Sequence, residues 1–135
     1  MAMEPADIAK YKRLYLQTAL AYARDMQQNL SILQQNHDNK DALQVVYLAA
    51  HSLKSQSLMM GYETIGMLSA TLENICKAKE ANTVDIGDNI LALISSGVGK
   101  LQACLSEIEK TGKELDLSKE AKQLQRAFPG ISEWQ

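Results

Sequence analysis

The chain has 135 residues, 46% hydrophobic and 22% charged, which is enough for one domain with its own apolar core and no need of a disulfide or metal staple. Acid and base interleave to a net charge of −2, which leaves no basic stripe or stacking platform for nucleic acid. Apolar runs such as residues 90–94 are far too short to cross a bilayer, so no membrane partner is expected.

Proline occurs only at positions 5 and 129, and between them Ala, Leu, Gln, Lys, Glu and Met are plentiful, so an all-α chain is expected. The first helix is expected over residues 6–35, where Ile8, Tyr11, Tyr15, Thr18, Tyr22, Met26, Leu30 and Leu33 recur at spacings of three and four. Asn36-His37-Asp38-Asn39 reads as a polar turn. Its His37 is expected to be a solvated loop residue, because no second histidine or cysteine lies at ligand spacing.

A second helix is expected over residues 40–60, with Leu43, Val46, Ala50, Leu53, Ser57 and Met60 as its stripe and Gly61 as its stop. The third covers residues 63–79, with Ile65, Leu68, Leu72, Ile75 and Cys76 inward, until Ala81-Asn82-Thr83 breaks the pattern. The fourth spans residues 84–110 through Ile86, Ile90, Leu93, Ile94, Leu101, Leu105 and Ile108. Gly97-Val98-Gly99 within it lacks the lysine and the strand of a phosphate loop, and reads as helix packing. A short fifth helix, residues 118–128, carries Ala121, Leu124 and Phe128 and stops at Pro129-Gly130.

Four long amphipathic helices on short loops imply an up-down antiparallel four-helix bundle, with the short fifth C-terminal helix packed on an end or flank. Residues 1–128 are expected to form the bundle, and 129–135 a C-terminal tail or the start of a linker. Cys76 and Cys104 stand far apart with no CxxC, so free buried thiols are expected rather than a zinc site or redox pair. Residues 1–7 have no apolar segment of the kind a signal peptide needs, which points to the cytoplasm.

One histidine departs from the core pattern. The stripe of the second helix centres near Val46, Ala50, Leu53 and Ser57, and His51 points roughly 130° away from it at 100° per residue. Tyr47, Lys54, Ser55 and Leu58 share its side, with Lys54 one helical turn on. If the chain reverses at Gly61, His51 and Glu73 stand at similar heights, about 15 and 18 Å from the turn at 1.5 Å per residue. Glu73 projects to the edge of its own stripe, beside Ser69 and Lys77. A carboxylate on one imidazole N–H fixes the tautomer and frees the other nitrogen's lone pair. A phosphoryl group there brings almost two negative charges, which Lys54 is placed to offset. Tyr47 and Leu58, apolar residues beside an exposed histidine, fit a docking patch.

The run Ala50-His51-Ser52-Leu53-Lys54, then Ser57, Met60-Gly61-Tyr62 and Leu72-Glu73, resembles the histidine phosphotransfer (HPt) domains of two-component signalling. It looks most like the N-terminal phosphotransfer domain of chemotaxis-type sensor kinases, which also have four long helices and a shorter fifth. The resemblance implies His51 as phosphate acceptor, Lys54 as its electrostatic neighbour, Glu73 as the residue that orients the ring and Gly61 as the close of the hairpin. It implies a histidine kinase catalytic domain as donor, a response-regulator receiver aspartate as acceptor, and no cofactor. With no nucleotide motif of its own, the chain would be a phosphocarrier, alone or as part of a larger kinase.

Three positions depart from the family pattern. Ser55 stands where glycine is usual and Gln56 where another small residue is common, which adds bulk near the site. Ala70 stands where chemotaxis kinases often carry a second histidine. Ser55 and Gln56 support the alternative of a non-phosphorylated helical adaptor that keeps the docking face without the chemistry. A metal-binding bundle lacks its repeated Glu-x-x-His signature, so no metal is expected.

Overall fold

The strong helix propensity of the chain is realised throughout. The computed structural model describes residues 4–131 and holds five α-helices, with no strand among the described residues. They are α1 (Pro5–Gln35), α2 (Lys40–Met59), α3 (Glu63–Glu80), α4 (Asp88–Thr111) and α5 (Ser118–Ala127). Residues 1–3 and most of the expected C-terminal tail, 132–135, lie outside the described residues.

Local chemistry sets the boundaries. Pro5 opens α1 where a missing backbone N–H leaves no bond unmade. Asn39 caps α2, its side-chain oxygen accepting from the Ala42 N–H at 2.9 Å. Gly61 closes the helix at φ +84°, where a β-carbon would be strained. There the Tyr62 N–H donates to the Ser57 carbonyl at 2.8 Å and the Gly61 N–H to Leu58 at 3.1 Å. α3 ends the same way on Asn82, at φ +58°, with the Thr83 N–H donating to Ala78.

α4 begins at Asp88, later than the apolar spacing through Val84 suggested. Ile86 is buried from an irregular lead-in, and Gly87 takes the N-cap position. The stripe of α1 also stops short, with Ile8 49% and Tyr11 53% exposed. Tyr15 already stands opposite Ser57 in the last turns of α2, their hydroxyls 2.7 Å apart, so the turns before it reach past the end of that helix.

The remaining stripes form one core. Leu53, Ile65, Leu72, Leu101 and Leu105 are fully enclosed, and Leu124 brings α5 into the same cluster. α2 and α3 share the most extensive interface, and α1 packs on both α2 and α4. α3 meets α4 only narrowly, and α5 lies against both. Gln125 donates to the Thr71 hydroxyl at 3.1 Å and Lys100 to Glu120 at 2.9 Å, fastening α5 to each. Both cysteines are free and buried, as expected, and burial pushes the Cys76 thiol up to about 12.

Candidate functional site

The α2–α3 hairpin brings His51, Lys54 and Glu73 together. His51 lies off the α2 core stripe with its side chain 52% exposed, whereas Glu73 is almost fully buried, at 3%. The histidine Nδ1–H donates to Glu73 Oε2. The Lys54 ammonium donates to the other carboxylate oxygen, Oε1, at 2.6 Å. Each oxygen of one buried carboxylate is therefore satisfied by a side chain from the neighbouring helix. Among the described residues nothing hydrogen-bonds Nε2, the nitrogen on the far side of the half-exposed ring.

The burial of Glu73 corrects the expectation that it sits at the edge of its stripe. Ser69, one turn before it, is also wholly buried, its hydroxyl turned back onto the Ile65 carbonyl at 2.8 Å. α2 and α3 approach closely enough to enclose this flank. Gly66 shows how closely, since a β-carbon there would fall 2.5 Å from Leu58 Cδ2. Burial alone would raise the Glu73 pKa, but the hydrogen bonds and charges of Lys54 and His51 outweigh it, and the carboxyl lies below its ordinary value. The acid is therefore ionised at neutral pH.

The flanking residues fall around the ring as the helix spacing requires. Tyr47, half-buried one turn before, stacks on the imidazole with ring centres 6.2 Å apart and planes 21° from parallel. Ser55, one turn after, is exposed, and its hydroxyl donates to the His51 carbonyl at 3.3 Å. Leu58 is half-exposed beyond it. Gly61 is at the turn of the hairpin and does not reach the imidazole.

His37 is not simply solvated: its Nε2 lies 2.8 Å from Asp88 Oδ1, joining the α1–α2 turn to the start of α4. Among the described residues there is no cluster of His, Cys, Asp and Glu able to hold a metal ion. No helix among them is long and apolar enough to cross a membrane.

Glu114, in the connection before α5, carried no signal in the sequence. Its Oε2 accepts from the backbone N–H of Thr64 and of Ile65, both at 2.9 Å, and from the Thr64 hydroxyl at 2.7 Å. It supplies the N-terminal cap that Tyr62 does not, and so seats the helix that bears Glu73. Its partners lie 49 and 50 positions away, beyond any local pattern.

The Hpt domain family model matches residues 10–129. Chemotaxis protein CheA of Listeria monocytogenes is 22% identical over 107 residues, covering 78% of this chain and 17% of that protein. Chemotaxis protein CheA of Halobacterium salinarum is 22% identical over 102 residues, covering 76% and 15%. The chain thus spans about a sixth of the length of the curated relatives it matches. No solved structure gives a significant match. These matches agree with the resemblance carried by residues 50–73, and the chain belongs to the Hpt domain family, whose role is phosphotransfer in two-component signalling.

Proposed function

We propose that the chain is a cytoplasmic phosphocarrier in which His51 accepts a phosphoryl group from a histidine kinase and passes it to a receiver aspartate. The observation that carries this reading is the hydrogen bond from Nδ1 of a half-exposed His51 to a buried, ionised Glu73. With the proton held on Nδ1, the lone pair is on Nε2. Nε2 attacks the γ-phosphorus of ATP in the kinase's catalytic domain, an Nε2–P bond forms, and the bond to the bridging oxygen breaks as ADP leaves. The phosphorylated ring keeps its Nδ1 proton and so carries a positive charge, which faces the Glu73 carboxylate. Transfer reverses the geometry: a receiver carboxylate attacks phosphorus and the ring departs as neutral imidazole.

Lys54 adds positive charge beside the incoming phosphoryl group while holding Glu73 in place. Tyr47, Ser55 and Leu58 form the rim on which partners dock, and Gly61 fixes the hairpin. Residues 1–128 constitute the module. Its four long helices run up and down, a reading supported by Tyr15–Ser57, which pairs the first half of α1 with the end of α2, by Lys79–Asp38, which ties the end of α3 to the turn before α2, and by His37–Asp88, which ties the turn after α1 to the start of α4.

Incubation with HPt-directed kinases and labelled ATP tests the proposal. Acid-labile, base-stable label that disappears in His51→Gln is the expected result. Absence of label with several competent kinases would replace it with the adaptor reading, for which Ser55 beside the imidazole is the favouring observation.

A further inference from the structure

We infer that Tyr47 is a positioning residue that fixes the plane of the His51 ring, an inference that rests on His51 being the phosphoryl acceptor. Two side-chain torsions orient an imidazole relative to its backbone. The Nδ1 hydrogen bond to Glu73 anchors one ring atom and leaves a swing of the ring about that anchor. The Tyr47 ring, stacked at 6.2 Å and 21° from the turn before, removes that remaining freedom.

The plane matters because the Nε2 lone pair lies in it, and phosphorus must approach along that direction. A ring free to swing presents the lone pair over a fan of directions, and only part of the fan suits in-line attack. The tyrosine lies along one side of the imidazole, a turn before it, and Ser55 stands a turn after.

The position of Tyr47 can be maintained without the site. It is half-buried and packed against the hydrophobic core, so its ring is held by the scaffold rather than by the histidine. His51 adapts to Tyr47 more than the reverse.

The test uses a donor that needs no docking. Phosphoramidate transfers its phosphoryl group as the Nε2–P bond forms, its own P–N bond breaks and ammonia leaves. Tyr47→Leu, which keeps apolar bulk without a ring, is expected to slow this labelling about two- to ten-fold, the range that loss of an aromatic pair converts to. Tyr47→Phe, which keeps the ring, is expected to restore most of the rate. In the native protein, nuclear Overhauser contacts between Tyr47 and His51 ring protons are expected, and this measurement holds even if Tyr47→Leu folds poorly. An unchanged phosphoramidate rate in Tyr47→Leu overturns the inference, and so does slowing seen only with a kinase, which would mark a docking residue. Failure of Tyr47→Phe to rescue, or absence of the ring contacts, overturns it too. If native protein takes no label from either donor, the carrier function itself falls, an outcome distinct from all of these.

Discussion

Lys54 Nζ lies 2.6 Å from Glu73 Oε1, so the lysine placed beside the histidine by helix spacing is bound first of all to the acid. The carboxylate thereby bridges two residues one turn apart on α2. Removing it uncouples both, and that shapes the first expectation.

Glu73→Ala should unfold more easily than the native chain. The carboxylate is buried, but its partners are partly exposed and can turn to water, so the loss should be about 1–3 kcal/mol, below that of a wholly buried pair. Urea denaturation measures it. A residue at the edge of its stripe, where spacing alone puts Glu73, would have little effect on folding, and an unchanged midpoint would favour that placement. Phosphorylation of His51 should slow in the same variant.

The lowered pKa of Glu73 sets a pH dependence. In the unfolded chain the carboxyl has its ordinary value of 4.5, and in the folded chain it holds a proton less tightly. Its contribution to stability is therefore complete above about pH 4.5 and is lost as pH falls through the lower, folded-state value. The denaturation midpoint of native protein should drop over this acid window, and Glu73→Gln should show a shallower drop. Parallel curves would dissociate Glu73 from acid unfolding.

Ser55→Gly should trade stability for reach. Glycine in a helix interior costs about 0.5 kcal/mol relative to serine, so melting should occur at slightly lower temperature. Transfer from phosphorylated His51 to a receiver should accelerate as the side chain leaves the edge of the ring. Stopped-flow or quench measurement of that step decides it, and a slower transfer would make the hydroxyl an asset rather than an obstruction.

Glu114→Ala should loosen the start of α3. Loss of an N-terminal cap typically costs about 1–2 kcal/mol, and here two backbone donors and a hydroxyl lose their acceptor together. Amide exchange at Thr64 and Ile65 should rise well before exchange at the hairpin core does. Uniform loss of protection along the chain would mean that the contact serves global stability instead.

Much of this architecture was legible in the sequence because it rests on local rules. Helical periodicity found the five helices, Gly61 and Asn82 marked real stops, and the off-stripe place of His51 followed from counting at 100° per residue. What escaped depends on neighbours distant in the chain. Glu73 reads as an edge residue by its own helix, and becomes buried because α2 packs on that flank, where a β-carbon on Gly66 would run into the Leu58 side chain. The exposure of Ile8 and Tyr11 depends on where α2 ends, and the cap from Glu114 on a loop after α4. The α4 boundary failed for another reason: Ile86 is apolar and buried, but outside the helix.

His51 and Glu73 are 22 positions apart, and a single tight turn joins the helices that carry them. Closing so short a stretch loses little chain entropy, and contacts of small sequence separation are those that fast-folding proteins form readily. The pair therefore depends on contacts of short sequence separation, while the other helices supply the support beneath it.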